Sequence, residues 1–241
     1  MNTLAGTDVI VLAGGLGSRI RPVLGDTPKI LAPVAGRPFL DHLLQFLARL
    51  GARKVVLSLG HLAGSVTAHI AGACPPLPVE TVIEDRPLGT AGAVGFARGA
   101  VASDPVVVLN GDTWLDIDFA GMLAAHRRAP GTLATIACVP VPDAGRYGRV
   151  ELDEDGTVRR FAEKESGRRR PVLINAGAYL LSARLMDDLA RAGDRSLERE
   201  VFPKLPPGAL CGYVVEGRGF IDIGTPESYA EAQTVLAAGK P

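Results

Sequence analysis

This sequence of 241 residues has little of what marks several large protein classes. Its three cysteines, Cys74, Cys138 and Cys211, are odd in number and far apart, which fits neither a disulfide framework nor a zinc site. Buried free thiols are expected instead. Neither sign of charge is in excess, because 26 basic residues balance 26 acidic ones. No global basic field exists to hold a nucleic-acid backbone, so any phosphate binding has to be local. Long apolar runs are also missing. The run from Val9 to Ala13 is far too short for a signal core or a membrane span, and no basic segment or cleavage site precedes it. A cytoplasmic protein with neither nucleic acid nor membrane as partner is expected. No internal repeat, hexapeptide period or linker-like stretch occurs. No Ser-His-Asp or Cys-His set stands out, so a covalent intermediate is not indicated.

The residues that are present alternate between strand-like and helix-like stretches. With 47% hydrophobic residues the chain can bury a large core, and a single domain over 1–241 is expected. Val9 to Ala13 is short, β-branched and apolar throughout, as for a parallel strand buried on both faces. Leu40, Leu43, Leu44, Leu47 and Leu50 repeat at helical spacing, and Gly51 is placed to end that helix. Lys54 to Leu59, Val79 to Glu84 and Val106 to Leu109 read as further strands. Such strand, turn and helix units imply right-handed crossovers and a doubly wound, mostly parallel α/β sheet. In the second half, Val150 to Leu152 and Val158 to Phe161 flank Asp153-Glu154-Asp155-Gly156, a hairpin signal. Val172 to Leu181, two helical stretches and a strand pair around Gly219 follow. These strands are expected as antiparallel additions to the edge of the same sheet.

Several motifs carry chemistry. Gly14-Gly15-Leu16-Gly17-Ser18-Arg19 follows the first strand directly, where open α/β sheets bind ligands. Glycines let backbone N–H groups approach phosphates, and the Arg19 guanidinium can grip two phosphate oxygens. An ordinary glycine-rich turn has the same composition. Lys29 lies between Pro28 and Pro33, whose rings favour an extended backbone and so an aimed ammonium. Asp112 and Asp222 each end an apolar strand beside or near a glycine. Magnesium is commonly held by one or two carboxylates with substrate phosphates and water, although a single such aspartate is more often a turn or helix cap. Glu163-Lys164 and Asn175-Ala176-Gly177 offer sugar-hydroxyl and phosphate contacts, or merely solvated strand ends. Arg168-Arg169-Arg170 reads as a solvated loop tip.

Taken together and in order, these motifs resemble the sugar nucleotidylyltransferase family over nearly the whole chain. The carriers are the Gly-Gly-x-Gly-Ser-Arg loop, Lys29 ten residues on, Pro87-Leu88-Gly89-Thr90-Ala91-Gly92, Asn110-Gly111-Asp112, Glu163-Lys164 and the late Asp222-Ile223-Gly224. The resemblance implies a Rossmann-like, GT-A-like nucleotidyltransferase fold and a magnesium-dependent enzyme. Leu12, Ala13, Gly14 and Gly15, with Gly17 and Ser18, would cradle the nucleotide, and Arg19 would take the β- and γ-phosphates. Lys29 would stabilise the α-phosphate transition state, and Asp112 and Asp222 would hold Mg2+. Lys164 would hold the acceptor phosphate, with Asn110, Tyr147, Gly148, Glu163, Asn175 and Gly177 on the sugar side. Pro87, Gly89 and Thr90 belong to the nucleotide side. Ile30 departs from the family, which often has a second proline after the lysine.

Within the family, Arg146-Tyr147-Gly148-Arg149-Val150, Phe220 to Glu227 and the short length look most like the D-glycero-α-D-manno-heptose 1-phosphate guanylyltransferases. The familiar long mannose-1-phosphate guanylyltransferases add a C-terminal β-helix. The expected partners are GTP, or another nucleoside triphosphate, and a sugar 1-phosphate, and a homodimer is left open. Glu84 ends a strand near the Pro87-Leu88-Gly89 turn, where the resemblance places a base-reading residue. A carboxylate accepts guanine N1–H and its 2-amino group together, a pairing that discriminates by about 1–3 kcal/mol. Backbone groups can read bases as well, and related uridylyl enzymes can also carry a glutamate nearby. Mannose 1-phosphate with GTP, or another sugar with UTP or CTP, is the alternative chemistry. A non-catalytic nucleotide-binding homologue is the alternative class. A glycosyltransferase would need a metal-binding Asp-x-Asp, and Asp116-Ile117-Asp118 and Asp153-Glu154-Asp155 are badly placed for that.

Overall fold

A computed structural model of the chain describes residues 3–142, 145, 147–162, 172–215 and 219–237. Its elements in chain order are β1 (Asp8–Ala13), α1 (Arg21–Leu24), β2 (Pro33–Val34), β3 (Arg37–Pro38), α2 (Phe39–Arg49), β4 (Lys54–Leu59), α3 (Ala63–Gly72), β5 (Val79–Ile83), α4 (Gly89–Phe96), β6 (Val106–Asn110) and β7 (Thr113–Leu115). There follow α5 (Phe119–Arg128), β8 (Ala134–Val141), β9 (Arg149–Leu152), β10 (Val158–Ala162), β11 (Val172–Leu181), α6 (Ala183–Ala192), β12 (Leu210–Val214), β13 (Phe220–Asp222) and α7 (Pro226–Ala237).

Strands β6, β1, β4 and β5 lie side by side and parallel, with Val9 opposite both Val55 and Val107. β11 joins β6 antiparallel, β8 joins β11, and the β9–β10 hairpin pairs through β9 with the start of β11. The uninterrupted apolar character of β1 has a direct cause. Val9 and Val11 belong to a core shared with α2, α3, α5 and α7, while Ile10 faces a second core shared with α4 and α6. Both faces are covered, so no polar alternation is tolerated.

Helix α2 buries Leu40, Leu43, Leu44 and Leu47 along one stripe, each contributing roughly 1.5–3 kcal/mol of burial. Gly51 at φ 77° supplies the left-handed residue that closes the helix, and its N–H donates to the Ala48 carbonyl. The carboxyl ends of β1, β4 and β6 fall at one edge of the sheet, where Ala13 is level with Leu59 and Leu12 with Asn110. That edge is where the functional loops gather.

The doubly wound sheet and the 150–162 hairpin match the sequence expectation, and three details correct it. The strands flanking Gly219 do not pair with each other: β12 lies parallel to β8, and β13 pairs antiparallel with β7. The chain turns back after Asn110-Gly111-Asp112, and β7 offers its edge to β13. β8 escaped notice because Pro140 interrupts its apolar run, but that proline sits near the strand end, where losing a ladder donor matters little. Lys29 stands in a single 3-10 turn over Lys29–Leu31, and the extended residues are Pro28 and Ala32 on either side of it.

Candidate active site

The glycine loop after β1 and the loops after β4, β5 and β6 enclose a cleft of about 360 Å³, a volume suited to a small ligand. Leu12, Ala13, Gly14, Gly15 and Gly17 line it, together with Lys29, Glu84, Pro87, Gly89, Thr90, Asn110 and Asp112. Thus the residues expected on the nucleotide side, apart from Ser18 and Arg19, share one wall system.

Glu84 follows β5 and is held by its N–H donating to the Leu59 carbonyl. Its carboxyl lies in a notch made by two glycines. A Cβ at either Gly14 or Gly60 would come within 2.7 Å of Glu84 Oε1. Burial raises the Glu84 carboxyl above its usual range, and repulsion from Asp194 adds to this, against the Leu88 N–H that favours ionisation. Gly60 carries the same signal as Gly14, a glycine directly after an apolar strand, and sequence reasoning passed over it.

The floor of the cleft is set by Gly111. Its N–H donates to the Leu12 carbonyl at 2.8 Å, and a Cβ there would lie 2.7 Å from that same oxygen. This contact locks the ends of β1 and β6 together, and Asp112 lines the same cleft as the glycine loop. Asn110 packs against Gly177, which has φ 69° and interrupts the register of β11. Gly89, also at positive φ, opens α4 so close to the Arg195 carbonyl that any side chain would collide with it.

Lys29 Nζ donates to Asp112 Oδ2 at 2.5 Å, and Thr113 Oγ1 donates to Asp112 Oδ1. The short β7–β13 ladder puts Asp222 opposite Thr113, and the Ile223 N–H donates to the Asp112 carbonyl. Asp222 is buried, and its Oδ1 accepts from the Gly224 N–H at 2.6 Å while the Tyr147 hydroxyl donates to Oδ2. A Cβ on Gly224 would lie 2.5 Å from Asp222 Oδ1 and 3.5 Å from Lys29 Nζ, so the ammonium and both carboxylates border one small space. Two hard oxygen donors of this kind fit a magnesium ion that takes its remaining ligands from phosphates and water. Among the described residues no third His, Cys, Asp or Glu completes a cage.

Other expected site residues are placed differently. Ser18 and Arg19 are exposed beyond the cleft wall, whereas Arg21, not anticipated, lines it and pairs with Asp26 at 3.3 Å. Tyr147 reaches Asp222, and Gly148 accepts the Asn175 N–H. Asn175 is fixed by the Gly177 N–H and the Tyr179 hydroxyl. Glu163, Lys164, Arg146 and Arg168 to Arg170 lie outside the described residues. Both Asp-x-Asp spacings are structural: Asp118 caps α5 by accepting the Gly121 N–H, and Asp155 accepts the Thr157 N–H in the hairpin turn.

An α/β sheet with glycine loops at its carboxyl edge, facing a lysine and two strand-end aspartates, defines a nucleotide-binding protein of the phosphate-handling kind. The chain belongs to the nucleotidyl transferase family, whose sequence profile matches residues 8–239. It is 35% identical to a mannose-1-phosphate guanylyltransferase of Mycobacterium tuberculosis, over 96% of this chain and 65% of that protein. The chain therefore spans just under two thirds of the length of that relative. It is 31% identical to the D-glycero-alpha-D-manno-heptose 1-phosphate guanylyltransferase of Aneurinibacillus thermoaerophilus, over 95% of this chain and 98% of the other. The crystal structure of HddC from Yersinia pseudotuberculosis complexed with GMP-PN superposes with a TM-score of 0.84 at 34% identity, covering 95% of this chain and 99% of that one. No helix among the described residues is long and apolar enough to cross a membrane.

Proposed function

We propose that this protein transfers GMP from GTP to a sugar 1-phosphate, D-glycero-α-D-manno-heptose 1-phosphate in the first instance, releasing pyrophosphate. The observation that carries the reading is the convergence of Lys29, Asp112 and Asp222 at the mouth of the glycine-lined cleft. An oxygen of the sugar 1-phosphate attacks the α-phosphorus of GTP in line, and the bond to the β-phosphate oxygen breaks. The Lys29 ammonium transfers from Asp112 to a non-bridging α-phosphate oxygen as negative charge moves there. The loop backbone at Gly14 and Gly15 binds the nucleotide, and Arg19, two residues from the cleft-lining Arg21, closes on the pyrophosphate. Enzymes of this family typically use a divalent metal. Mg2+ held by Asp112 and Asp222 would supply charge neutralisation between the phosphates. Glu84 reads the guanine edge, and Tyr147, Gly148, Glu163, Lys164 and Asn175 take the acceptor. Both halves of the chain contribute to one site, which supports a single-domain enzyme, and a cytoplasmic location is part of the same proposal.

The 31% identity to a heptose 1-phosphate guanylyltransferase supports that acceptor, and the 35% identity to the mycobacterial protein keeps mannose 1-phosphate as the second reading. A panel of four nucleoside triphosphates against heptose, mannose and glucose 1-phosphates, with and without Mg2+, separates them by pyrophosphate release. GTP binding with no transfer to any sugar phosphate refutes the enzymatic reading.

A further inference from the structure

We infer that Glu198 is a positioning residue that ties the nucleotide side of the site to the acceptor side, an inference that rests on the functional reading above. Glu198 lies in a one-turn π-helix over Leu197–Val201, which is capped by Ser196. Such turns are rare and concentrate near functional sites. Its Oε2 accepts from the Thr90 hydroxyl at 2.9 Å and from the Ser196 hydroxyl at 2.8 Å. Its Oε1 accepts from the Tyr179 hydroxyl at 2.9 Å. These three donors are neutral hydroxyls on three different segments, so the carboxylate acts as a junction.

One arm of the junction runs to the nucleotide cleft. Thr90 stands in the first turn of α4, next to the positive-φ Gly89, and both line the cleft. The Leu197 N–H donates to Thr90 Oγ1 at 2.8 Å, so the hydroxyl is committed on both its donor and acceptor sides. Its orientation depends on the Glu198 carboxylate, while the turn that opens α4 is also held by the Arg195 N–H donating to the Leu88 carbonyl and the Ala91 N–H donating to the Arg195 carbonyl.

The other arm runs to the acceptor side. Tyr179 is fully buried, and burial keeps its proton on, so its hydroxyl hydrogen points at Glu198 and a lone pair faces Asn175. Asn175 Nδ2 donates to that hydroxyl at 3.0 Å, while Asn175 Oδ1 accepts the Gly177 N–H. The amide orientation is thereby set, leaving the second Nδ2 hydrogen for an acceptor hydroxyl. Without Glu198 the buried Tyr179 hydroxyl would have to turn toward another acceptor and the relay would lose its direction.

The test measures KM for each substrate and kcat in Glu198→Ala, Glu198→Gln, Tyr179→Phe and Thr90→Val, with magnesium GTP binding followed by calorimetry and folding by thermal melts. Glu198→Ala is expected to raise both KM values by about tenfold, the loss of a charged hydrogen-bond junction. Tyr179→Phe should raise only the acceptor KM, and Thr90→Val only that for GTP. Glu198→Gln keeps one acceptor oxygen and puts an amide donor in place of the other, so it should spare one of the two KM values and raise the other. If Glu198→Ala and Tyr179→Phe leave both KM values within about twofold, or lower only kcat in step with the folded fraction, the inference is overturned. A wild-type protein that binds GTP yet transfers to no sugar phosphate overturns the functional reading instead, while unchanged calorimetric GTP affinity in Glu198→Ala and Thr90→Val separately overturns the nucleotide arm.

Discussion

The Lys29 ammonium sits 2.5 Å from Asp112 Oδ2 although 83 positions separate the two residues. The pairing follows from packing around Gly111. Ile30, next to the lysine, is buried, and its Cδ1 would lie 3.2 Å from a Cβ on Gly111. The residue that departs from the family's second proline is thus the apolar anchor of the turn carrying Lys29. Burying Ile30 between the ends of β1 and β6 aims the ammonium at the strand end. Lys29→Ala is expected to lower kcat by about 10²–10³, as for the loss of one preorganised donor. Initial rates of pyrophosphate release measure it. A variant within about threefold of wild type removes Lys29 from the chemistry.

Asp222 differs from Asp112 in being buried and anchored by the Gly224 N–H, with Ser228 Oγ also near its Oδ1 at 3.4 Å. A carboxylate fixed in that way has little freedom, so its value lies in where it holds charge. Asp222→Asn keeps the shape and removes the charge. The Mg2+ concentration giving half-maximal rate should rise by about tenfold or more, and excess chelator should abolish turnover of the wild type. An unchanged magnesium dependence in Asp222→Asn excludes this residue as a ligand.

Much of this site was legible because its parts are punctuation. Gly14, Gly111 and Gly177 mark the ends or breaks of apolar strands, and Asp112 and Asp222 sit where strands stop. Local signals therefore located them. The remainder depended on tertiary pairing that no local pattern encodes. The β7–β13 ladder joins segments about a hundred residues apart, each too short to show periodicity. Gly60 and Glu198 were missed for related reasons. Gly60 matters only through the Glu84 side chain arriving from the next strand, and Glu198 only through hydroxyls on α4 and β11. Arg19 was singled out by its motif, yet Arg21 is the arginine on the cleft wall.

Two glycines of the cleft answer the same substitution in opposite ways. Gly111→Ala places a methyl against the Leu12 carbonyl at 2.7 Å, where both partners are backbone and cannot yield cheaply. A loss of stability of about 1–3 kcal/mol is expected, read from denaturant melts. A Cβ on Gly15 meets nothing within 4 Å, and no positive φ requires glycine there. Gly15→Ala should therefore melt like wild type. If the loop backbone cradles phosphates, this variant still raises the KM for GTP, since the methyl intrudes where the ligand approaches. Equal KM values in Gly15→Ala and wild type would place the nucleotide elsewhere.

Glu84 gives a prediction in which pH decides the sign. Burial and Asp194 raise its carboxyl above the ordinary value of 4.5, so ionisation is less favourable in the folded chain than in the unfolded one. The protonated group's contribution to stability is fully present below about 4.5 and is lost as pH rises through the elevated value. Glu84→Gln, neutral throughout, should melt higher than wild type at neutral pH, and the gap should narrow as pH falls toward 4.5. Function runs the other way. Only the ionised carboxylate accepts both guanine donors, so the wild-type KM for GTP should climb as pH drops through the raised value while that for UTP stays level. Glu84→Gln should flatten this dependence and cut the preference for GTP over UTP by about tenfold. The stability gain and the selectivity loss come from the same ionised group, pressed between Gly14 and Gly60. A variant that loses GTP preference with no change in the pH profile of its melting temperature would separate the two effects and contradict that common origin.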